Sequence, residues 1–114
     1  MADEVVYINY DEGVKRVMNN AKLYVKLLTK FKTDTKLDDL DAALAAGDME
    51  KAQAAAHTIK GVTANLSLTE LYKQTLELET QIKAKAVAPD QFETVKTAFA
   101  QTLQEVEKVI VQNG

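Results

Sequence analysis

Apolar positions recur at helical spacing through most of the chain, in stretches separated by short polar or glycine-containing breaks. Val5, Val6, Tyr7 and Ile8 read as an extended lead-in that packs on the body, and a short helix is expected over residues 11–18. A second helix runs from near Ala21 to Phe31, where Leu23, Tyr24, Leu27, Leu28 and Phe31 share a face. After the break Lys32-Thr33-Asp34-Thr35, Thr35 is placed to cap a third helix carrying Leu37, Leu40, Ala43 and Leu44, which stops at Gly47. Asp48 is placed to cap a fourth, whose apolar positions are Met49, Ala52, Ala56, Ile59, Val62, Thr63 and Leu66. Ser67-Leu68-Thr69-Glu70 has the pattern of a capping box, and Leu71, Thr75, Leu78 and Ile82 form the buried stripe of the helix it opens. Ala88-Pro89-Asp90 breaks the chain again before the longest helix, with Phe92, Val95, Phe99, Leu103, Val106 and Ile110. Four long amphipathic segments with short connections predict an all-α protein, an antiparallel four-helix bundle with additional short N-terminal helices packed on it. Residues 1–114 read as a single domain.

Composition narrows the chemistry. One proline, four glycines and abundant Ala, Leu, Lys and Glu agree with helices. The absence of cysteine removes disulfides, thiolate zinc sites and thiol catalysis together. Net charge is -3, with lysines and acids interspersed, and no basic stripe with interleaved aromatics supports nucleic-acid binding. No apolar run approaches the roughly 20 residues of a membrane span, and Met1-Ala2-Asp3-Glu4 lacks a signal pattern, so a cytosolic protein that does not engage a membrane is expected. One histidine and scattered carboxylates have no metal-ligand spacing, and Asp38, Asp39 and Asp41 lie on a helix without a calcium-loop pattern.

The only histidine, His57, is the candidate for chemistry. A glycine follows one turn later, and glycine inside a helix costs about 1 kcal/mol relative to alanine. With Ile59 at the centre of the buried stripe and about 100° per residue, Ala52, Ala55, Ala56, Val62, Thr63 and Leu66 fall within roughly 60° of that centre. His57 falls about 160° away, on the outer face, among Glu50, Gln53, Ala54, Gly61 and Ala64, which are nearly all small or polar. A neutral imidazole, with an unperturbed pKa of about 6.5, is a competent nucleophile near neutral pH. Lys60, one turn on, can partly neutralise a phosphoryl group on that ring, and a carboxylate from an adjacent helix would hold its tautomer.

These residues resemble the histidine-containing phosphotransfer (HPt) domains of multistep phosphorelays. The family's helical His-x-x-Lys-Gly stretch is seen here as Ala56-His57-Thr58-Ile59-Lys60-Gly61-Val62. Upstream, the run from Asn20 through Leu23, Tyr24, Leu27 and Leu28 to Phe31 is similar to the family's Asn-x-x-Leu-Tyr-x-x-Leu-Leu-x-x-Phe helix. Downstream, Ala64-Asn65-Leu66, Leu71 and Leu78-Glu79 fall where the family's next helix places them. The recognisable pattern covers roughly Ile8 to Glu79, and the last helix matches only in character. The resemblance implies His57 as phosphoacceptor, Lys60 as the charge that steadies the phosphoryl group and Gly61 as the position that grants access. Glu79 stands where many members carry a Glu or Gln that hydrogen-bonds the histidine ring. Members commonly have glycine at the turn where this chain has Ser67, so a modest change in turn geometry is expected.

The function implied is relay of a phosphoryl group between receiver-domain aspartates of a two-component system, with no kinase activity of its own. The chain has no Gly-rich nucleotide loop. Its partners would be response-regulator receiver domains and a hybrid sensor histidine kinase, docking on the face around Gln53, Ala54, His57, Gly61 and Ala64. No cofactor is expected in this chain, divalent metal belonging to the receiver, and a monomer is expected. Two other readings stay open: the phosphoacceptor domain of a chemotaxis-type histidine kinase, and a phosphate-independent helical interaction module. Met1 and the closing Val111-Gln112-Asn113-Gly114 favour a standalone protein over a domain of a kinase.

Overall fold

The computed structural model describes residues 6–33 and 36–113, and six helices follow one another there. They are α1 (Tyr10–Arg16), α2 (Ala21–Thr33), α3 (Leu37–Ala46), α4 (Met49–Asn65), α5 (Thr69–Lys83) and α6 (Gln91–Asn113). The expected cap at Thr35 and the first residue of the lead-in, Val5, lie outside the described residues. No strand occurs among the described residues, and none of their helices is long and apolar enough to cross a membrane.

Local chemistry sets most boundaries. The Asn9 side chain accepts from the Glu12 amide and starts α1, and the Asn20 side chain accepts from the Leu23 amide at the start of α2. α3 ends at Gly47, whose φ of 71° is the left-handed conformation glycine adopts without a Cβ penalty. Asp48 then accepts from the Lys51 amide at 3.1 Å and opens α4, as expected from its position. The expected capping box at Ser67 does not form. α5 begins at Thr69 with Leu68 at the cap position, without a side-chain cap bond. Leu68 is fully buried, and that apolar burial sets the helix start in place of a polar cap. Ser67 takes φ 55°, the region that favours glycine, and its hydroxyl donates to the Glu12 carboxylate at 2.8 Å, tying the turn to α1.

α2, α4, α5 and α6 form the bundle. α4 and α5, joined by residues 66–68, run antiparallel against each other, α5 packs on α6, and α6 on α2. α3 lies against α4, and α1 closes over α2. The core runs through all four long helices, with Leu28, Leu71, Leu78, Val95 and Val106 fully buried, and Phe31 stacks on Phe99 at 5.4 Å between centroids. Two stripe residues depart from expectation, Leu23 of α2, which is 40% exposed, and Val62. Val62 is 38% exposed, because it stands at the edge of the α4 stripe where α2 does not close over it. It lines an open groove with Leu27, Lys30, Phe31, Asn65 and Leu66.

Tyr24 anchors α2. Its hydroxyl donates to the Leu66 carbonyl at 2.6 Å, and Tyr10 packs edge-on against its ring at 5.7 Å. Burial, with Tyr10 and Glu12 nearby, pushes the phenol up to about 12, so it remains a donor. The ring lies so close to Gly13 that a Cβ there would come within 2.4 Å of it. Gly13→Ala therefore has to displace a ring held at both ends, and it should lower unfolding stability by about 1–3 kcal/mol in urea titrations.

Candidate functional site

The helical period of α4 divides its residues between a core side and an outer side, and the structure keeps that division except at Val62. Ala52, Ala55, Ala56, Ile59 and Thr63 are buried, while Ala54, His57 and Gly61 are exposed and Gln53 and Ala64 half-buried. The His57 side chain is 70% exposed. A Cβ built at Gly61 would meet nothing within 4 Å. The glycine is therefore not demanded by packing within this chain. It leaves clearance on the solvent side, one turn beyond the imidazole.

α5 supplies the partner of the ring. Its buried stripe of Leu71, Thr75, Leu78 and Ile82 turns Glu79 towards α4, where the carboxylate is only 2% exposed. Glu79 Oε2 lies 3.2 Å from His57 Nδ1. Lys60 Nζ lies 2.8 Å from Oε1, an ion-pair contact. Lys83 Nζ lies 3.7 Å from Oε2. The structure thus brings His57, Lys60 and Glu79 together, with Gly61 beside them. Lys60, expected to steady a phosphoryl group on the ring, contacts the Glu79 carboxylate in the structure. Lys83 was not among the expected site residues, although a glutamate followed four residues later by a lysine on one helix is a readable ion-pair signal.

Burial alone would push the Glu79 carboxyl up. The contacts from Lys60 and His57, with the charges of Lys60 and Lys83, outweigh that and hold it below the ordinary value of 4.5. An ionised carboxylate only accepts, so the proton on the facing nitrogen belongs to His57 Nδ1, and the lone pair is left on Nε2. A depressed carboxyl contributes stability that is complete above its unfolded value and is lost as pH falls through the folded one. Wild-type unfolding free energy should therefore fall between about pH 5 and pH 3 by more than that of Glu79→Gln, as measured by urea titration at each pH.

Among the described residues, no group of three or more His, Cys, Asp or Glu side chains could hold a metal ion. No curated protein and no solved structure matches the chain. The family model of the Hpt domain matches residues 27–108. That span takes in the histidine helix, the Glu79 helix and most of α6, so the family pattern continues through the helix that the residue motifs left unmatched. A helical bundle with one exposed histidine, its ring held by a buried carboxylate from the next helix, agrees with that match: the chain belongs to the Hpt domain family, phosphotransfer modules of two-component signalling.

Proposed function

We infer that this protein accepts a phosphoryl group from the aspartyl phosphate of one receiver domain on His57 Nε2 and passes it to the aspartate of another. The observation that carries the reading is the bond from His57 Nδ1 to the buried Glu79 carboxylate on an otherwise exposed ring. It fixes the tautomer in which Nε2 is the nucleophile and points that nitrogen away from α5. In the step, the Nε2 lone pair attacks phosphorus and the bond from phosphorus to the aspartyl oxygen breaks. The aspartate leaves as a carboxylate. The proton on Nδ1 stays where it is, and the positive charge that develops on the ring is stabilised by Glu79. Reversal of the same step delivers the group to the second receiver.

Lys60 supplies positive charge to the phosphoryl oxygens once the group is in place, and Gly61 admits the receiver's active-site loops without a side chain in the way. The outer face of α4, from Gln53 and Ala54 through His57 to Gly61 and Ala64, is the docking surface. Divalent metal belongs to the receiver, and the protein works as a cytosolic monomer between a hybrid sensor kinase and a response regulator. Incubation with a phosphorylated receiver domain tests this reading. A phosphoprotein stable in base and labile in acid should form, and label stable in acid would place the group on an oxygen and contradict it.

A further inference from the structure

Lys60 has two tasks that conflict. In the structure its ammonium sits 2.8 Å from Glu79 Oε1. As the counter-charge of a phosphoryl group on His57 Nε2, it has to leave that oxygen. Glu79 is 2% exposed, and a carboxylate buried to that degree is costly to leave without a cation.

The other oxygen of the same carboxylate has a second lysine. Lys83 lies one turn along α5, its ammonium 3.7 Å from Oε2, with a side chain 56% exposed. That distance is ion-pair contact beyond hydrogen-bond reach, and the flexible four-carbon stem lets it close further. Three groups thus face this carboxylate: His57 and Lys60 from α4 and Lys83 from α5.

We propose that Lys83 is a positioning residue for phosphoryl transfer, holding the charge of Glu79 while Lys60 turns to the phosphorylated ring. The proposal rests on the reading of His57 as phosphoacceptor. No covalent bond and no proton moves in this exchange. One ammonium leaves Oε1 for the phosphoryl oxygens, and another closes on the carboxylate. Glu79 keeps its charge throughout, so Nδ1 of His57 stays held in both states. Without Lys83, Glu79 competes with the phosphoryl group for Lys60, and the phosphorylated state loses stability relative to the unphosphorylated one.

The test is the equilibrium distribution of a phosphoryl group between the full-length protein and a receiver domain. Lys83→Met should shift it away from His57 by about threefold to tenfold, the size of one charge contact at a partly exposed site. Lys83→Arg, which keeps the charge, should restore it. Lys60→Met should shift it at least as far. The double variant Lys60→Met/Lys83→Met should lie no further than Lys60→Met alone, because without Lys60 there is nothing for Lys83 to release. A merely structural ion pair predicts a lower melting temperature for Lys83→Met with an unchanged equilibrium, and that result overturns the proposal. So do losses that multiply in the double variant. A wild-type protein that takes no phosphoryl group on His57 overturns the underlying reading, and this role with it.

Discussion

Replacing His57 with glutamine should reduce phosphoryl acceptance from a receiver to background while leaving the bundle folded. An amide nitrogen has its lone pair delocalised into the carbonyl, so the substituted side chain offers no nucleophile. The fold has little reason to change. The His57 side chain is 70% exposed, and Glu79 retains Lys60 and Lys83 after the ring is gone. Glutamine also carries an NH₂ group that can donate to the same carboxylate. The loss in stability should stay within about 1 kcal/mol, the size of one net hydrogen bond. Radiolabel transfer and a thermal melt on the same preparation check both halves.

Gly61→Gln should separate stability from function in the opposite direction. A Cβ at this position meets nothing within 4 Å, so the bundle accommodates the side chain. Glutamine is also the better helix former, and the variant should gain about 0.5 kcal/mol. The side chain then projects beside the imidazole on the face a receiver has to approach. Displacing the receiver's aspartyl phosphate by about 1 Å is enough to cost on the order of a hundredfold in transfer rate. A small phosphodonor such as phosphoramidate does not need that clearance and should still label His57 at close to the wild-type rate. A variant with undiminished transfer from a receiver would remove Gly61 from the site.

Much of this was readable in the chain because α4 carries its own punctuation. Gly47 and Asp48 mark its start, alanines and Ile59 mark its buried stripe, and the period then puts His57 and Gly61 outside. The end of α4 was not readable in the same way. Ser67 fits a capping box locally, yet full burial of Leu68 sets the start of α5 and sends the serine hydroxyl across to Glu12, 55 residues away in sequence. Val62 looks like a core residue on a helical projection, but whether α2 covers the edge of the stripe is a matter of tertiary packing. Lys60 shows the same limit within the site. Its distance from His57 along α4 is set by the helix, whereas its pairing with Glu79 depends on how α5 docks. The pairing of Glu79 with Lys83 needs only one helix and carried its signal in the sequence.

The measurement that bears most directly on the central claim is the position of the phosphoryl group itself. The protein is labelled with ¹⁵N in histidine, phosphorylated by a receiver domain, and followed by ³¹P and ¹⁵N NMR. A phosphorus–nitrogen coupling to Nε2 of His57, with Nδ1 still protonated against Glu79, is the expected result. Phosphate found on Nδ1, on a carboxylate or hydroxyl elsewhere in the chain, or on no residue at all would contradict it.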